Sequence, residues 1–173
     1  MSSQTPIVRG ALTALWVLVP VMAVADVALN LTYWVFGLNV LGDNLVVLAP
    51  RPPASGRQVT GLVATFPGMA AWLAALLILH GLLRRFRGGE VISLTTVSGM
   101  RAFALLSFLS ALLDTATSGA RRWAQGEFNG PIWTHIQVSS DQLWLLFIAA
   151  AFLVMSSALV EATVYKDEAD SYL

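Results

Sequence analysis

RRFRGGEVISLTTVSGMR, residues 84–101, stands between two long apolar runs, and its reading decides how the rest of the chain is arranged. Arg84, Arg85 and Arg87 close one run, Gly88 and Gly89 stop it, and Arg101 opens the next. Basic residues packed this tightly against apolar runs are the usual marker of the cytoplasmic ends of membrane-spanning helices. Glycine readily takes the left-handed backbone that ends a helix, and Ser93, Thr95 and Thr96 are suited to cap the one that follows.

Outward from this connector the chain is strongly apolar. Its 173 residues are 57% hydrophobic and 12% charged, with a mean hydropathy of +0.71. Soluble domains carry roughly a quarter charged residues, so this chain has too few polar side chains to cover itself, and lipid is the simplest solvent for it. Four runs, residues 11–38, 61–83, 102–118 and 143–165, each approach the roughly 20 residues needed to cross a bilayer. The third is the shortest, and Asp114 interrupts it near its end. The runs are apolar all round, unlike the one-sided stripe of a surface helix. Pro20 and Pro67 lie inside two of them, as membrane helices tolerate. The expected fold is therefore all-α, a single integral membrane four-helix bundle.

With four spans, both termini and the 84–101 connector share one side. That side carries Arg9, Arg84, Arg85, Arg87, Arg101 and Lys166, and the other carries Arg51, Arg57, Arg121 and Arg122. The excess, concentrated at the short connector, predicts cytoplasmic termini in a multi-pass membrane protein. A competing reading takes Arg9, the apolar residues after it and Ala23-Val24-Ala25 as a secretory signal, with Asp26 beginning the mature chain. The apolar run continues past that point through Tyr33, Trp34 and Phe36, which favours an uncleaved helix.

Two segments lie on the far side. Residues 39–60 contain Asp43, Asn44 and the extended Pro50-Arg51-Pro52-Pro53 stretch. Residues 118–142 contain Arg121, Arg122, Trp123, Trp133 and His135, with Gly126 and Gly130 as turn points. The tryptophans suit the headgroup level.

Polar groups at membrane depth are costly and so are functional candidates. Asp26, Asn30 and Tyr33 fall on one face of the first helix. Asp114 precedes Arg121 and Arg122 by about two turns, so an Asp–Arg pair is available there. Glu161 and His80 fall toward the cytoplasmic side with Arg84, Arg85 and Arg101, and a salt-bridged tie between helices is the plain expectation for them. A proton or ion path through Asp26, Asp114, His80 and Glu161 is the alternative, opposed by the gap between an outer and an inner group. Ala70, Ala71, Ala74 and Ala75, with Ser107 and Ala111, offer small-residue faces for close helix approach.

Topology leaves Glu90, Val91 and Ile92 unexplained. Basic residues ending the second span, then Gly89-Glu90-Val91-Ile92-Ser93, then Arg101 opening the third, resemble the bacterial membrane family catalogued as domain of unknown function 2975. Ile92 stands where members usually have an aromatic. Glu161-Ala162 and the tail Lys166-Asp167-Glu168 are also similar, and the resemblance is concentrated in residues 76–110. It implies a four-helix inner-membrane protein whose partner is a small helix-turn-helix regulator. The docking candidates are then Arg84, Arg85, Arg87, Glu90, Ile92 and Arg101.

Three function classes follow. The first is a non-enzymatic membrane regulator with a cytoplasmic partner, alone or as a homo-oligomer. The second is a small transporter or channel subunit that uses the intramembrane acids. The third, an enzyme, is disfavoured: there is no cysteine, no HExxH, no GxSxG and no phosphate-binding loop. No catalytic residue, cofactor or metal site is expected, and a net charge of zero gives no field for nucleic acid.

Overall fold

The structure, a computed structural model, describes residues 6–37, 53–89 and 93–171, with side chains described as far as Glu161. It is all-helical: α1 (Pro6–Phe36), α2 (Gln58–Arg87), α3 (Leu94–Ala124) and α4 (Ser140–Ser171), with one 3₁₀ turn at Ile132–His135. All four long helices are long and apolar enough to cross a membrane. At 1.5 Å per residue each runs to about 45 Å, longer than a hydrocarbon core of about 30 Å. The third departs most from its apolar run, beginning at Leu94 and continuing through Asp114 to Ala124. Asp114 does not break it, because the carboxylate finds its partner two turns further along the same helix, in Arg121.

The connector's ends behave as their residue types dictate. At the end of α2 the Gly88 and Gly89 N–H groups donate to the carbonyls of Arg84 and Phe86. The left-handed residue is Gly89 (φ +87°), with Gly88 still helical. Ser93 caps α3, its hydroxyl accepting from the Thr96 N–H at 3.1 Å. Glu90, Val91 and Ile92 lie outside the described residues.

The helices alternate in direction. Trp34 meets Gly61 while Trp16 meets His80; Ser110 meets Gly68 while Leu82 meets Gly99. Helices α2 and α3 form the central pair, α1 lies on α2, and α4 lies on α3. Among the described residues α1 and α4 do not approach each other, so the bundle is open along that side. Small residues allow the central contacts: Ala71 and Ala75 of α2, Ala104, Ser107 and Ala111 of α3, and Ala149 and Ser156 of α4 are all buried. Ala70, by contrast, is exposed.

The two halves of the bundle differ in chemistry. Toward the end that carries the termini, the interior is mostly apolar, with the hydroxyls of Thr96, Ser107 and Ser156 buried among apolar side chains. Ala75, Leu82, Met100 and Phe103 form one buried cluster, and Val19, Leu76 and Leu83 form a second, against α1. Phe103 meets Phe152 of α4 edge-on at 4.7 Å between centroids. Toward the far end, the interior is polar.

Candidate functional site: a polar cavity in the far half

Three helices bring polar groups to one depth. Asp26 of α1, Gly68 of α2 and Asp114 of α3 each stand ten residues from the far end of their helix (Phe36, Gln58 and Ala124), about 15 Å along the axis. Together with Asn30, Thr65, Ser110 and Arg121 they line a cavity of about 250 Å³, walled by Met69, Trp72 and Leu145.

Each polar group has a local reason for its position. Asn30 sits one turn after Asp26, and its side-chain N–H₂ donates to the Asp26 carboxylate (3.1 Å) and carbonyl (2.9 Å). Arg121 reaches back two turns along α3. One of its N–H groups donates to Asp114 Oδ1 at 2.6 Å, and another to the Asp114 carbonyl at 2.8 Å. The pair is part-shielded, with Arg121 21% and Asp114 32% exposed. Asp114 can enter the interior because Gly68 has no side chain: a Cβ there would lie 2.3 Å from Asp114 Oδ1. The Gly68 carbonyl, next to Pro67, accepts from the Ser110 hydroxyl at 3.0 Å and ties α2 to α3 beside the cavity. The cavity thus holds two carboxylates against one guanidinium, and Asp26 is the acid without a cationic partner among the described residues.

The far end is tied down around it. Arg57 lies over the Trp123 ring at 4.1 Å and donates to the Trp123 carbonyl and to Asn129 Oδ1. Gln125 donates to the Tyr33 hydroxyl at 3.0 Å. The Ser118 hydroxyl accepts from the Gln137 N–H, and the 3₁₀ turn rests on Gly119, whose Cβ would fall 2.2 Å from the Ile132 carbonyl oxygen. Arg122 pairs with Glu127, leaving Arg121 as the partner of Asp114.

Of the residues that the sequence places at membrane depth as an expectation, the structure unites Asp26, Asn30 and Asp114. His80 and Glu161 are elsewhere. Twelve residues of α2, about 18 Å, separate His80 from Gly68. His80 stacks on Trp16 at 5.0 Å, and the Arg87 guanidinium lies over the same indole at 4.8 Å. Glu161 is exposed, as are Arg84, Arg85 and Arg101, and among the described residues no ion pair joins them. The expected tie between the helix ends is therefore absent there, and stacking on Trp16 takes its place.

Thr65, Gly68, Ser110 and Trp72 were not singled out in the sequence as site residues. Ser and Thr within an apolar helix commonly donate to their own preceding turn, as Thr65 does to the Gly61 carbonyl. Only the register between helices shows which ones face a neighbour. The Pro67-Gly68 step was the available signal. Compared with protein-family models, with curated proteins and with solved structures, the chain finds no match in any of the three.

Proposed function

We propose that this chain is a non-enzymatic sensory protein of the bacterial inner membrane, with both termini cytoplasmic. The far-half cavity receives a small polar solute, and the arginine-bearing connector passes its state to a cytoplasmic partner such as a helix-turn-helix transcription factor. One observation carries this reading: the cavity has apolar core beneath it. Between the Asp26–Asp114 level and the termini end stand Ala75, Leu76, Leu82, Met100 and Phe103, all buried, and His80 is held on Trp16. A conduction path needs polar groups through its whole length. A binding chamber needs its charged groups at one depth only, and the interior acids Asp26 and Asp114 share one depth, with only the single hydroxyls of Ser107, Ser156 and Thr96 buried beyond them.

The orientation draws its support from the arginines, which crowd the termini end at Arg84, Arg85, Arg87 and Arg101. The resemblance of residues 76–110 to a bacterial membrane family supports the same placement and the choice of partner. Signal transfer would run along α3, which carries Asp114 in the cavity and the Ser93 cap and Arg101 at the connector.

A photo-cross-linking residue at Ser98, exposed at the start of α3, tests the output side in native membranes. The expected result is capture of a cytoplasmic regulator, lost when Arg84, Arg85 and Arg87 become Gln in a protein whose topology is verified separately. Capture of further copies of this chain alone, or capture unaffected by the arginine changes, would contradict the proposal.

A further inference from the structure

We propose that the open side of the bundle, between α1 and α4 at the termini end, binds one anionic phospholipid. Its acyl chain fills an apolar cleft and its phosphate is held by the arginines at the rim. The inference rests on the reading of the chain as a membrane protein and is independent of the polar cavity.

The cleft has a volume of about 560 Å³ and takes a wall from every helix: Leu12 of α1, Phe86 of α2, Met100 of α3, and Phe152, Met155 and Leu159 of α4. It exists because α1 rests on α2 and α4 on α3 while the outer two stay apart. In a bilayer, such a gap is filled either by lipid or by another protein helix.

Charge decides between these occupants. The cleft-lining Phe86 and Met100 are each followed directly in sequence by an arginine, Arg87 and Arg101, while Arg9 lines a neighbouring groove of α1 with Pro6, Gly10 and Thr13. Arg85 precedes Phe86, with Arg84 beside it. Arg9, Arg84, Arg85, Arg87 and Arg101 are all exposed, and among the described residues none is in an ion pair. Arg87 is drawn toward α1 by its place over Trp16. Opposing them, Glu161 is the one acidic side chain described at this end, also exposed. Among the described side chains this rim has an excess of guanidinium, which suits a phosphate diester that guanidinium groups can grip by paired N–H donation. A second copy docked symmetrically would bring its own arginines against these, and like charges across an interface disfavour that pairing.

Native mass spectrometry of the full chain, released from bilayer nanodiscs of equal phosphatidylglycerol and phosphatidylcholine, tests the inference. The expected result is one retained phosphatidylglycerol per chain, favoured over phosphatidylcholine by roughly tenfold. Arg84→Gln, Arg85→Gln and Arg101→Gln combined should bring the two lipids to parity. Ala158→Trp, which fills the cleft from α4, should abolish retention of either. Equal retention by the unaltered chain, a preference that survives the arginine changes, or a lipid-free dimer would each overturn the proposal. Failure of the chain to enter nanodiscs at all would instead overturn the membrane reading beneath it.

Discussion

Gly61→Ala is expected to destabilise the folded bundle by about 3 kcal/mol, at the upper end of the usual cost of overpacking a well-filled contact. Gly61 lies in the first turns of α2, and a Cβ there would fall 1.9 Å from Cζ3 of Trp34, with two more ring atoms inside 2.5 Å. The indole has little room to give way. Trp34 is 3% exposed and stands edge-on to Tyr33 at 4.8 Å, whose hydroxyl in turn accepts from Gln125. Trp34 and Val19 are the buried residues of α1, so this contact is a large part of what holds α1 to α2. Denaturant titration of the detergent-solubilised protein gives the measurement, with Gly81→Ala as control. Gly81 is also helical but has nothing within 4 Å of its Cβ position, and the better helix propensity of alanine should leave stability unchanged or slightly raised. Equal effects at the two glycines would mean that α1 is not seated on α2 by Trp34.

Asp114→Asn is the second large change, expected to cost about 2 kcal/mol. Removing one member of a wholly buried ion pair costs roughly 3–5 kcal/mol, because the survivor is left charged and unpaired. The Asp114–Arg121 pair is 32% and 21% exposed, so solvent screening reduces the loss. Arg121 would keep its bond to the residue 114 carbonyl, and the amide oxygen could still accept from it, but the opposite charge would be gone. Arg121→Gln added to Asp114→Asn should restore much of the stability, and a double-mutant cycle should return a coupling of about 1 kcal/mol or more. Strict additivity would show that the two side chains act independently and that the cavity is not organised by their pairing. Asp26→Asn is the contrasting case. The amide oxygen introduced there can still accept from Asn30, so the fold should survive while the cavity loses its uncompensated charge.

The sequence made much of this architecture legible, for identifiable reasons. Four apolar runs separated by charged or proline-bearing segments become α1 to α4, and Pro20 and Pro67 inside two of them do not end the helix. The Asp26–Asn30 contact and the Asp114–Arg121 pair were visible because both lie within one helix, where spacing fixes who faces whom. Contacts between helices were not visible. Gly68 beneath Asp114, Ser110 on the Gly68 carbonyl, and Arg57 over Trp123 depend on how one helix slides and rotates against the next, which no single helix encodes. The same limit explains Glu161 and His80. They lie at a depth similar to the connector arginines along the chain, yet Glu161 faces outward, and His80 is occupied by Trp16. The apolar run of α3 is shorter than its helix because polar residues enter the helix outside it: Thr95, Thr96, Ser98 and Arg101 before it, Arg121 and Arg122 after it. Apolar composition marks where lipid would be, not where the helix stops.

The absence of native cysteine makes thiol accessibility the most direct test of the central claim, a polar chamber that stops at an apolar core. Single substitutions Asn30→Cys and Met69→Cys place a thiol in the chamber, and Leu76→Cys and Met100→Cys place one in the core beneath it. Membrane-impermeant maleimide is applied to right-side-out and to inverted vesicles. Labelling is expected at positions 30 and 69 from the extracytoplasmic face alone, and at positions 76 and 100 from neither face. Labelling of the core positions, with the chamber reached from both faces, would reveal a continuous aqueous path and contradict the claim.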